Sequence, residues 1–482
     1  MAKTIPLGLT FDDVLLIPAR STVSSRREID CTSLLTTNIP LHIPIVSANM
    51  DTVTESETAI AMAKEGGIGI IHRFMPVEKE VEEVLSVKRS ESFVVEDPFT
   101  LVLDGATLAD AYEFIKKHHV TGILIVDEKN KLLGILTHRD MALETNLSTK
   151  IATLMTPKEK LITAPVGTTF KQANEMLKIN KIEKLPLVDA GGRVAGLITR
   201  KDVLKIQEHP NALKDEKGRL RVGAAVGVKG DYWERAQELI KVGVDVVVVD
   251  IAHGHADHSI NTVKRLKKEY PKIQVIAGNV ATGDGARDLI RAGADAIKVG
   301  VGPGSMCTTR IVTGCGVPQL TALFNVFEVT SKYKNVPIIA DGGIRYSGDI
   351  TKALAAGASS VMIGGLLGGT NESPGMTIIK NGRKYKVARG MASLGANMSK
   401  KANEGNKDND FGLEAYVAEG VEAIVPYRGT VSEILHQLLG GLRSGMSYCG
   451  SKTLGDLSKK AQFIQITNAG LKESLPHDVE QL

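Results

Sequence analysis

Eight short apolar runs, most of them followed by a helical pattern, restrict the fold of this chain more than any other feature. The runs are Ile43–Ala48, Gly67–His72, Gly223–Val228, Val244–Asp250, Gln274–Gly278, Ala294–Gly300, Val336–Asp341 and Ser360–Gly364. Apolar runs without alternation are typical of parallel strands that are buried on both faces. Eight such strands joined through helices predict an α/β protein built as a closed (β/α)₈ TIM barrel. A doubly wound open sheet is the alternative architecture.

An internal repeat interrupts the alternation of strands and helices. Residues 93–208 separate the second strand from the third, which is far too long for a loop. Thr121–Asp127 and Gly134–Asp140 match Glu183–Asp189 and Gly196–Asp202 at a constant offset of 62. Two copies that are each too small to bury their own apolar face are expected to pack as a pair. The predicted domains are the first part of the barrel at 1–92, an inserted module at 93–208 with repeats at about 94–147 and 155–208, and the rest of the barrel at 209–482.

Composition and charge exclude several classes of partner. Among 482 residues, Lys+Arg 59 and Asp+Glu 55 leave a net charge of +4, so nucleic acid is not expected as a partner. No stretch approaches the roughly 20 apolar residues that cross a bilayer, so no membrane partner is expected either. The 4 cysteines lack metal-ligand spacing, which favours free thiols in a reducing compartment. We expect a cytoplasmic protein, since the chain's last residues are not the Ser-Lys-Leu signal of peroxisome-like organelles.

The loop after the sixth predicted strand carries the strongest chemical signal. It reads Gly300-Val-Gly-Pro-Gly-Ser-Met-Cys307-Thr-Thr309-Arg310, so three glycines and a proline precede a cysteine. Barrel enzymes act at the carboxyl ends of their strands, and a rigidly held thiol with a lowered pKa is a nucleophile. Cys307 is therefore the candidate nucleophile, whereas Cys315 and Cys449 are interpreted as ordinary thiols.

Paired glycines follow the last two predicted strands. Strand seven ends in Asp341–Gly343, and strand eight ends in Gly364–Gly365. Glycine lets backbone amides approach phosphate oxygens closely, which predicts a phosphate site between these two strand ends. Asp341 is a candidate to accept hydrogen bonds from ribose hydroxyls, with a helix-capping role as the alternative.

Polar residues also follow strands one, four and five. They include the run Ser47–Asp51, Asp250 and Asn279. Asp250 is either a cofactor-binding or a structural carboxylate. His253 and His255 have the spacing of a metal-binding pair, but no third ligand is evident and a metal site is not expected there.

Residues 390–430 form a long polar segment before the last predicted helix. A segment of this length cannot be a core element and is interpreted as a flap over the site, with a surface loop as the alternative. Glu419 lies between apolar flanks and is the carboxylate of this segment that could be held against a substrate.

The loop Gly302–Arg310, the turn Asp341–Gly343, the run Ser47–Asp51 and the inserted repeat together resemble the family of IMP dehydrogenase and GMP reductase. The resemblance covers nearly the whole chain. It implies a barrel enzyme in which Cys307 attacks C2 of a purine nucleotide, GMP or IMP, to form a covalent thioimidate. It also implies that Thr309 and Glu419 form the pair that protonates departing ammonia.

This resemblance also implies which residues contact the substrate, the cofactor and a cation. Substrate contacts are expected from Ser47, Met50, Asn279, Ser305, Asp341, Gly343, Gly364, Gly365, Gly390 and Met391. Contacts to the cofactor, NADPH, are expected from Asp250, His253, Gly300 and Gly302. The carbonyls of Gly302, Gly304 and Cys307 resemble a K⁺ loop. Family members assemble as homotetramers, some of which pair into octamers.

The repeat resembles a tandem CBS (Bateman) module. In that family Thr137, Asp140, Thr199 and Asp202 lie at clefts that bind adenine or guanine nucleotides. The resemblance therefore implies regulation by purine nucleotides. The alternative is a docking or stability module whose clefts bind nothing.

The flap favours the reductase over the dehydrogenase. In the family, the dehydrogenase flap carries an Arg-Tyr pair that activates water, in a pattern like Asp-Arg-Tyr-Phe. The corresponding stretch here reads Asp408-Asn409-Asp410-Phe411, and Asn or Asp cannot replace the guanidinium and the phenol. The segment Arg389–Lys400 also resembles CBS-containing reductases of the kinetoplastid type. IMP dehydrogenase is the alternative, and an inactive barrel that senses nucleotides is the second alternative.

Overall fold

The computed structural model describes residues 5–90, 94, 98–118, 120–333, 336–404, 417–476 and 479. The chain divides into two compact units. The first contains Met1–Ser90, Asn211–Glu216 and Leu220–Leu482, and the second contains Glu91–Pro210 and Lys217–Arg219.

The first unit is a closed barrel of eight parallel strands, which confirms the predicted (β/α)₈ fold. The strands are β1 (Ile45–Ser47), β2 (Ile68–Ile71), β3 (Gly223–Val226), β4 (Val246–Asp250), β5 (Gln274–Val280), β6 (Ala296–Val299), β7 (Ile338–Asp341) and β8 (Ser360–Ile363). Each strand pairs with the next, and β8 closes on β1 with Ile363 opposite Ser47. The open-sheet alternative is therefore wrong.

Helices follow the strands around the barrel. They are Ser56–Lys64, Val77–Ser90, Tyr232–Lys241, Asp257–Glu269, Gly283–Ala292, Gln319–Thr330, Ser347–Ala355 and Val431–Tyr448, with a short helix at Thr309–Thr313. Local sequence sets their ends. The hydroxyl of Thr282 accepts from the Gly285 N–H at the start of Gly283–Ala292, and Gly293 ends that helix with a φ of +105°.

Alternation along the strands divides the barrel core into an inner and an outer cluster. Val46, Val246, Val248, Ala296 and Ile339 belong to the inner cluster. Their chain neighbours, such as Ile45 and Val247, pack in the outer cluster with the helices. Since side chains alternate along a strand, this parity decides which residue at a strand end faces the barrel interior.

Short elements surround the barrel. Val14–Leu16 pairs with Phe463–Gln465, and Ser33–Leu34 pairs with Pro40–Leu41. Beyond β8, Thr377–Lys380, Arg383–Arg389 and Glu422–Pro426 form an antiparallel three-stranded sheet. The remaining helices are Leu394–Glu404, Leu454–Lys460 and Asn468–Glu473, and short 3₁₀ helices lie at Phe11–Asp13 and Arg26–Glu28.

The second unit contains the same strand–helix–strand–strand–helix arrangement twice. The first copy is Thr100–Val102, Leu108–His118, Gly122–Val126, Leu132–Thr137 and His138–Met141. The second copy is Ala164–Pro165, Phe170–Ile179, Lys184–Val188, Val194–Thr199 and Arg200–Glu208. Between them lie a helix at Ile151–Leu154, a strand at Thr156–Pro157 and a 3₁₀ helix at Lys158–Lys160. Within the described part of the chain, no helix combines the length and apolarity that spanning a bilayer requires.

Candidate active site

A cavity of about 450 Å³ lies at the carboxyl ends of the barrel strands. Segments that follow β1, β4, β6, β7 and β8 line it, together with the flap segment and the N-terminal Thr10–Asp12. Twelve of the predicted site residues line this cavity: Met50, Gly304, Ser305, Cys307, Thr309, Asp341, Gly343, Gly364, Gly365, Gly390, Met391 and Glu419. The fold thus brings together residues that are more than 300 positions apart in the chain.

The loop after β6 holds Cys307 in a defined position. The Cys307 N–H donates to the Gly304 carbonyl at 3.0 Å. The Arg310 side chain connects the segments before and after Cys307, because it donates to the carbonyls of Val301 (3.1 Å) and Val317 (2.6 Å). Gly302 has a φ of +81°, and a Cβ there would lie 2.5 Å from the Arg310 side chain. A side chain at position 302 would therefore displace the arginine that orders the loop.

A chain of hydrogen bonds connects the half-buried Cys307 to a carboxylate. The Cys307 thiol donates to Thr309 Oγ1 at 3.2 Å, and the Thr309 hydroxyl donates to Glu419 Oε2 at 2.8 Å. The backbone holds Glu419 in place, since its carbonyl accepts from the Thr308 N–H at 2.8 Å. A proton can therefore move between the sulfur and the carboxylate through a single hydroxyl.

Glycines form the opposite wall of the cavity. Gly343 has a φ of +82°, and a Cβ there would lie 3.4 Å from the Phe11 ring. A Cβ at Gly364 would lie 3.0 Å from Met50 Sδ, and one at Gly365 would lie 3.0 Å from Ser305 Oγ. Any larger residue at these strand ends would narrow the cavity, as expected for a wall on which backbone contacts an anion.

A buried lysine lies behind Asp341. Lys298 Nζ is 2.7 Å from Asp341 Oδ2 and 2.7 Å from Asp250 Oδ1, and the lysine is 2% exposed. Burial lowers the pKa of Lys298, but the two carboxylates outweigh it and raise that pKa above its ordinary value. Burial raises the pKa of Asp250, but the Lys298 ammonium outweighs this, so its pKa lies below the ordinary value. Asp250 is therefore held ionised.

Side-chain amides complete this network. Asn279 Nδ2 donates to Asp341 Oδ2 at 2.9 Å, and Asn49 Nδ2 donates to Asp250 Oδ2 at 2.9 Å. Asp341 lines the cavity and receives these contacts on Oδ2. Both oxygens of Asp250 accept from the network. This geometry is compatible with the predicted ribose contact of Asp341 and with the structural alternative for Asp250, and both roles stay predictions.

A family comparison identifies the chain. A family profile described as the IMP dehydrogenase / GMP reductase domain matches residues 8–477. The chain belongs to this family. It is therefore an oxidoreductase of purine nucleotide metabolism with the barrel common to both enzymes.

Relatives of both kinds match over nearly their full length. The chain is 53% identical over 473 residues to the inosine-5'-monophosphate dehydrogenase of Nitrosopumilus maritimus, covering 98% of each chain. It is 53% identical over 477 residues to the enzyme of the same name from Bacillus subtilis, covering 98% of this chain and 96% of that one. Among solved structures, GMP reductase from Trypanosoma brucei in complex with guanosine 5'-monophosphate matches with a TM-score of 0.90, 45% identity and 99% coverage of both chains.

Some predicted residues of this family member lie outside the cavity wall. Ser47 is fully buried and accepts from the Thr54 hydroxyl at 2.8 Å. It shares the parity of Ile45, so it faces the helices rather than the barrel interior. Asn279 lies behind Asp341 and also donates to the Gly300 carbonyl at 2.8 Å. Neither residue is among those that line the cavity, and their contacts to substrate stay a prediction.

The four predicted cofactor residues lie beside the cavity rather than on its lining. Asp250 is engaged as described, and His253 is exposed on the loop after β4. Gly300 is packed so closely that a Cβ would lie 2.0 Å from the Asp341 carbonyl oxygen. Gly302 has a positive φ and leaves space for the Arg310 side chain that orders the loop. Ala252 from the same β4 loop is exposed and does line the cavity, and the cofactor contacts stay a prediction.

The described residues offer no cluster of three His, Cys, Asp or Glu side chains that could hold a metal ion. His255 Nε2 lies 3.0 Å from Asp288 Oδ2, and its ring meets that of His253 edge-on at 6.4 Å. The K⁺ prediction concerns carbonyl oxygens instead, and the Gly304 carbonyl already accepts from Cys307. The loop supplies the hard oxygen ligands that such a cation prefers, and K⁺ binding stays a prediction.

The predicted regulatory residues lie at helix starts in the second unit. The N–H and hydroxyl of Thr137 both donate to Asp140 Oδ2 at 2.7 Å, which caps His138–Met141. Thr199 ends the equivalent strand of the second repeat. The side chain of Asp202 lies outside the described residues. A nucleotide role for these four residues stays a prediction.

Sequence reasoning missed Lys298, Asn49 and the N-terminal residues Phe11 and Asp12. A signal for Lys298 was present, because it is a charged residue inside the apolar run of β6. A lysine at such a position is buried only when it is paired. The predicted discriminating stretch 408–411 lies outside the described residues.

Proposed function

We propose that the protein is a GMP reductase that uses NADPH to convert GMP into IMP and ammonia. The hydrogen-bonded chain Cys307–Thr309–Glu419 supplies the nucleophile and the proton path that this reaction needs. The stretch Asp408-Asn409-Asp410-Phe411, which has neither Arg nor Tyr, carries the choice of the reductase over the dehydrogenase. The overall reaction consumes GMP, NADPH and one proton, and it releases IMP, NADP⁺ and ammonia.

The chain's own residues account for the binding and proton steps. Glu419 accepts the thiol proton through Thr309, and the Cys307 thiolate then forms a bond to C2 of the purine. The same proton path returns a proton to the exocyclic amine, the C2–N bond breaks and ammonia leaves. Asp341 and the glycine wall hold ribose and phosphate, so that C2 is presented to the sulfur.

The nicotinamide cofactor fits beside the loop after β4. When bound, NADPH supplies the hydride that reduces C2 of the adduct, after which the C2–sulfur bond breaks. The choice of NADPH rather than NADH rests on the family resemblance.

The absence of a water-activating pair favours the reductase. Between residues 390 and 430 the chain contains only Tyr416, Tyr427 and Arg428 of these two residue types. The Tyr427 hydroxyl is hydrogen-bonded to Asn371, the Arg428 residue is exposed, and neither is among the residues that line the cavity. Among the described residues that line the cavity there is no tyrosine.

The two arginines of the cavity wall are engaged elsewhere. Arg310 is bound to its own loop, and Arg345 makes a paired contact to Asp12 at 2.6 and 2.8 Å. The Arg345 guanidinium lies 5.6 Å from the ring centroid of Tyr346, but that tyrosine is exposed and is not among the residues that line the cavity. The described cavity therefore favours retention of the adduct for reduction.

IMP dehydrogenase is the second candidate, favoured by the names of the relatives at 53% identity. One pair of assays distinguishes the two. Protein with GMP and NADPH is followed for loss of nicotinamide absorbance, and protein with IMP and NAD⁺ is followed for its gain. The reductase proposal requires turnover in the first assay only. Turnover in the second assay only would show a dehydrogenase, and silence in both would favour a nucleotide sensor.

Two variants test the assigned roles. Cys307→Ala is expected to abolish turnover while GMP still binds, since the thiol forms the covalent bond. Glu419→Gln is expected to slow release of ammonia at least 100-fold, because the amide cannot deliver the proton. Persistent turnover in Cys307→Ala or a near-normal rate in Glu419→Gln contradicts the respective role.

Regulation and assembly complete the proposal. Purine nucleotides are proposed to bind the second unit near Thr137 and Thr199 and to alter turnover. A homotetramer, able to pair into an octamer, is proposed as the assembly. Titration of ATP and GTP into the first assay, together with light scattering of the same samples, tests both statements.

A further inference from the structure

A buried ammonium joins the loop after β8 to the strand Arg383–Arg389. Lys386 is 4% exposed, and its Nζ donates to the carbonyls of Thr370 at 2.9 Å, Asn371 at 3.3 Å and Ser373. Three carbonyl oxygens around one cation form an environment that a bound metal ion occupies in other proteins. Here the chain supplies the cation itself, and we define Lys386 with residues 370–373 as the ammonium clasp.

The loop in the clasp is the direct continuation of the glycine wall. The Gly364 carbonyl accepts from the N–H groups of Leu367 and Gly368 at 3.0 and 2.9 Å. The Ser373 hydroxyl then donates to the carbonyls of Gly368 and Thr370 at 2.9 and 3.0 Å. Each turn of the loop is therefore connected to the next, from Gly364 to the carbonyls that contact Lys386.

The strand that carries Lys386 leads to the other side of the cavity. Four residues after the lysine it reaches Gly390 and Met391, both of which line the cavity. Its Arg389 is 2.6 Å from Asp51, and the Asp51 N–H donates to Met391 Sδ at 3.3 Å. One strand is thus fastened to the segment after β1 through Arg389 and to the loop after β8 through Lys386.

We propose that Lys386 is a positioning residue that sets the distance between the glycine wall at Gly364–Gly365 and the Gly390–Met391 wall, and so determines affinity for the mononucleotide. The inference rests on the proposed function in taking the cavity as the mononucleotide site. It applies to a reductase and a dehydrogenase alike, because both hold a nucleotide between these walls. Lys386 itself touches neither substrate nor the reacting sulfur.

The charge of Lys386 matters more than its volume. Burial lowers the pKa of this ammonium, opposed by the carboxylates of Glu372 and Glu57. Methionine has a similar length but donates no hydrogen bond, so Lys386→Met removes the cation that three carbonyls share, and of these the Thr370 carbonyl still accepts from the Ser373 hydroxyl. Lys384 is the matched control, because it lies on the same strand, is exposed and loses the same charge in Lys384→Met.

The test measures binding in a background that cannot turn over. Lys386→Met and Lys384→Met are each combined with Cys307→Ala, and calorimetry measures the Kd for GMP and for IMP. We expect Lys386→Met to raise the Kd for each nucleotide at least ten-fold and Lys384→Met to change that Kd less than two-fold. In Lys386→Met, amide hydrogen exchange is expected to be faster in residues 364–376. The denaturant midpoint measured by Trp233 fluorescence is expected to equal that of Lys384→Met.

The outcomes separate this inference from the proposed function. Equal affinity in the two lysine variants overturns the clasp, as does a loss of affinity that is matched by a general loss of barrel stability. If the Cys307→Ala background binds neither nucleotide, the proposed function and the clasp are both overturned. If Lys386→Met does not fold, Lys386→Gln replaces it and carries the same expectation, because a neutral amide keeps only part of the donor set.

Discussion

Removal of the Lys298 ammonium is expected to destabilise the barrel in a pH-dependent manner. In Lys298→Met, Asp250 and Asp341 lose a cation that lies 2.7 Å from each of them. Their two nearest oxygens are then no more than about 5.4 Å apart, since both contacted one nitrogen. At an effective dielectric constant of about 20, two charges at that distance repel by about 3 kcal/mol.

This magnitude agrees with a general expectation for buried ion pairs. Removing one partner of such a pair costs about 3–5 kcal/mol, because a charge remains without compensation. In the native protein the pKa of Asp250 is lowered, so the pair contributes stability at neutral pH and loses it as the pH falls through that lowered pKa. In the variant the carboxylates repel, so one of them takes up a proton more readily than in the unfolded chain. The loss of unfolding free energy in the variant, relative to the native protein, is therefore largest at pH 8 and becomes smaller as the pH falls toward the ordinary pKa range of aspartate.

Trp233 provides the assay, because it is the chain's 1 tryptophan and lies on a barrel helix. Urea titrations followed by its fluorescence at pH 8 and pH 5 compare Lys298→Met with the native protein. The double variant Asp250→Asn with Lys298→Met removes one of the opposed charges and is expected to recover at least half of the loss at pH 8. A loss below about 1 kcal/mol at pH 8, or a loss that does not depend on pH, would refute the reasoning.

Three further predictions concern the cavity. Thr309→Val interrupts the proton path and is expected to lower kcat for GMP reduction at least 100-fold with little change in KM, as steady-state rates of nicotinamide oxidation would show. Gly365→Ala places a Cβ 3.0 Å from Ser305 Oγ and is expected to raise the KM for GMP at least ten-fold; an unchanged KM would contradict the assigned wall. Cys315→Ser changes an exposed thiol and is expected to keep more than half of the native activity, while only Cys307 is protected by GMP from alkylation, as measured by mass spectrometry.

The sequence predicted the barrel because each strand is buried on both faces and therefore shows as a continuous apolar run. The same signal cannot say which of two adjacent residues faces the interior. Ser47 was expected to contact substrate from its place at a strand end, but it has the parity of the outward Ile45 and bonds to Thr54. Cys307 was easier to find, because the glycines that shape its loop are local in sequence.

The network of Lys298 with Asp250 and Asp341 could not be predicted from the sequence, for a different reason. Lys298, Asp250 and Asp341 lie on β6, β4 and β7, and they meet only when the barrel closes. Each residue alone has several interpretations, and Asp250 was open between a cofactor and a structural role. The contact that bears on this choice, from Lys298 to Asp250, involves a strand two positions away in the barrel, which local sequence patterns do not encode.

The overall sequence identity to relatives and the type of reaction depend on different parts of this molecule. Identity of 53% to dehydrogenases and 45% to a reductase averages over more than 470 residues, most of which build the barrel. The proposed adduct on Cys307 and the proposed proton path through Thr309 to Glu419 would serve either reaction. The outcome depends on whether water at C2 meets a base before hydride does, and the described cavity wall supplies no phenol for that purpose. A few flap residues can therefore determine the product while the rest of the chain continues to resemble both enzymes.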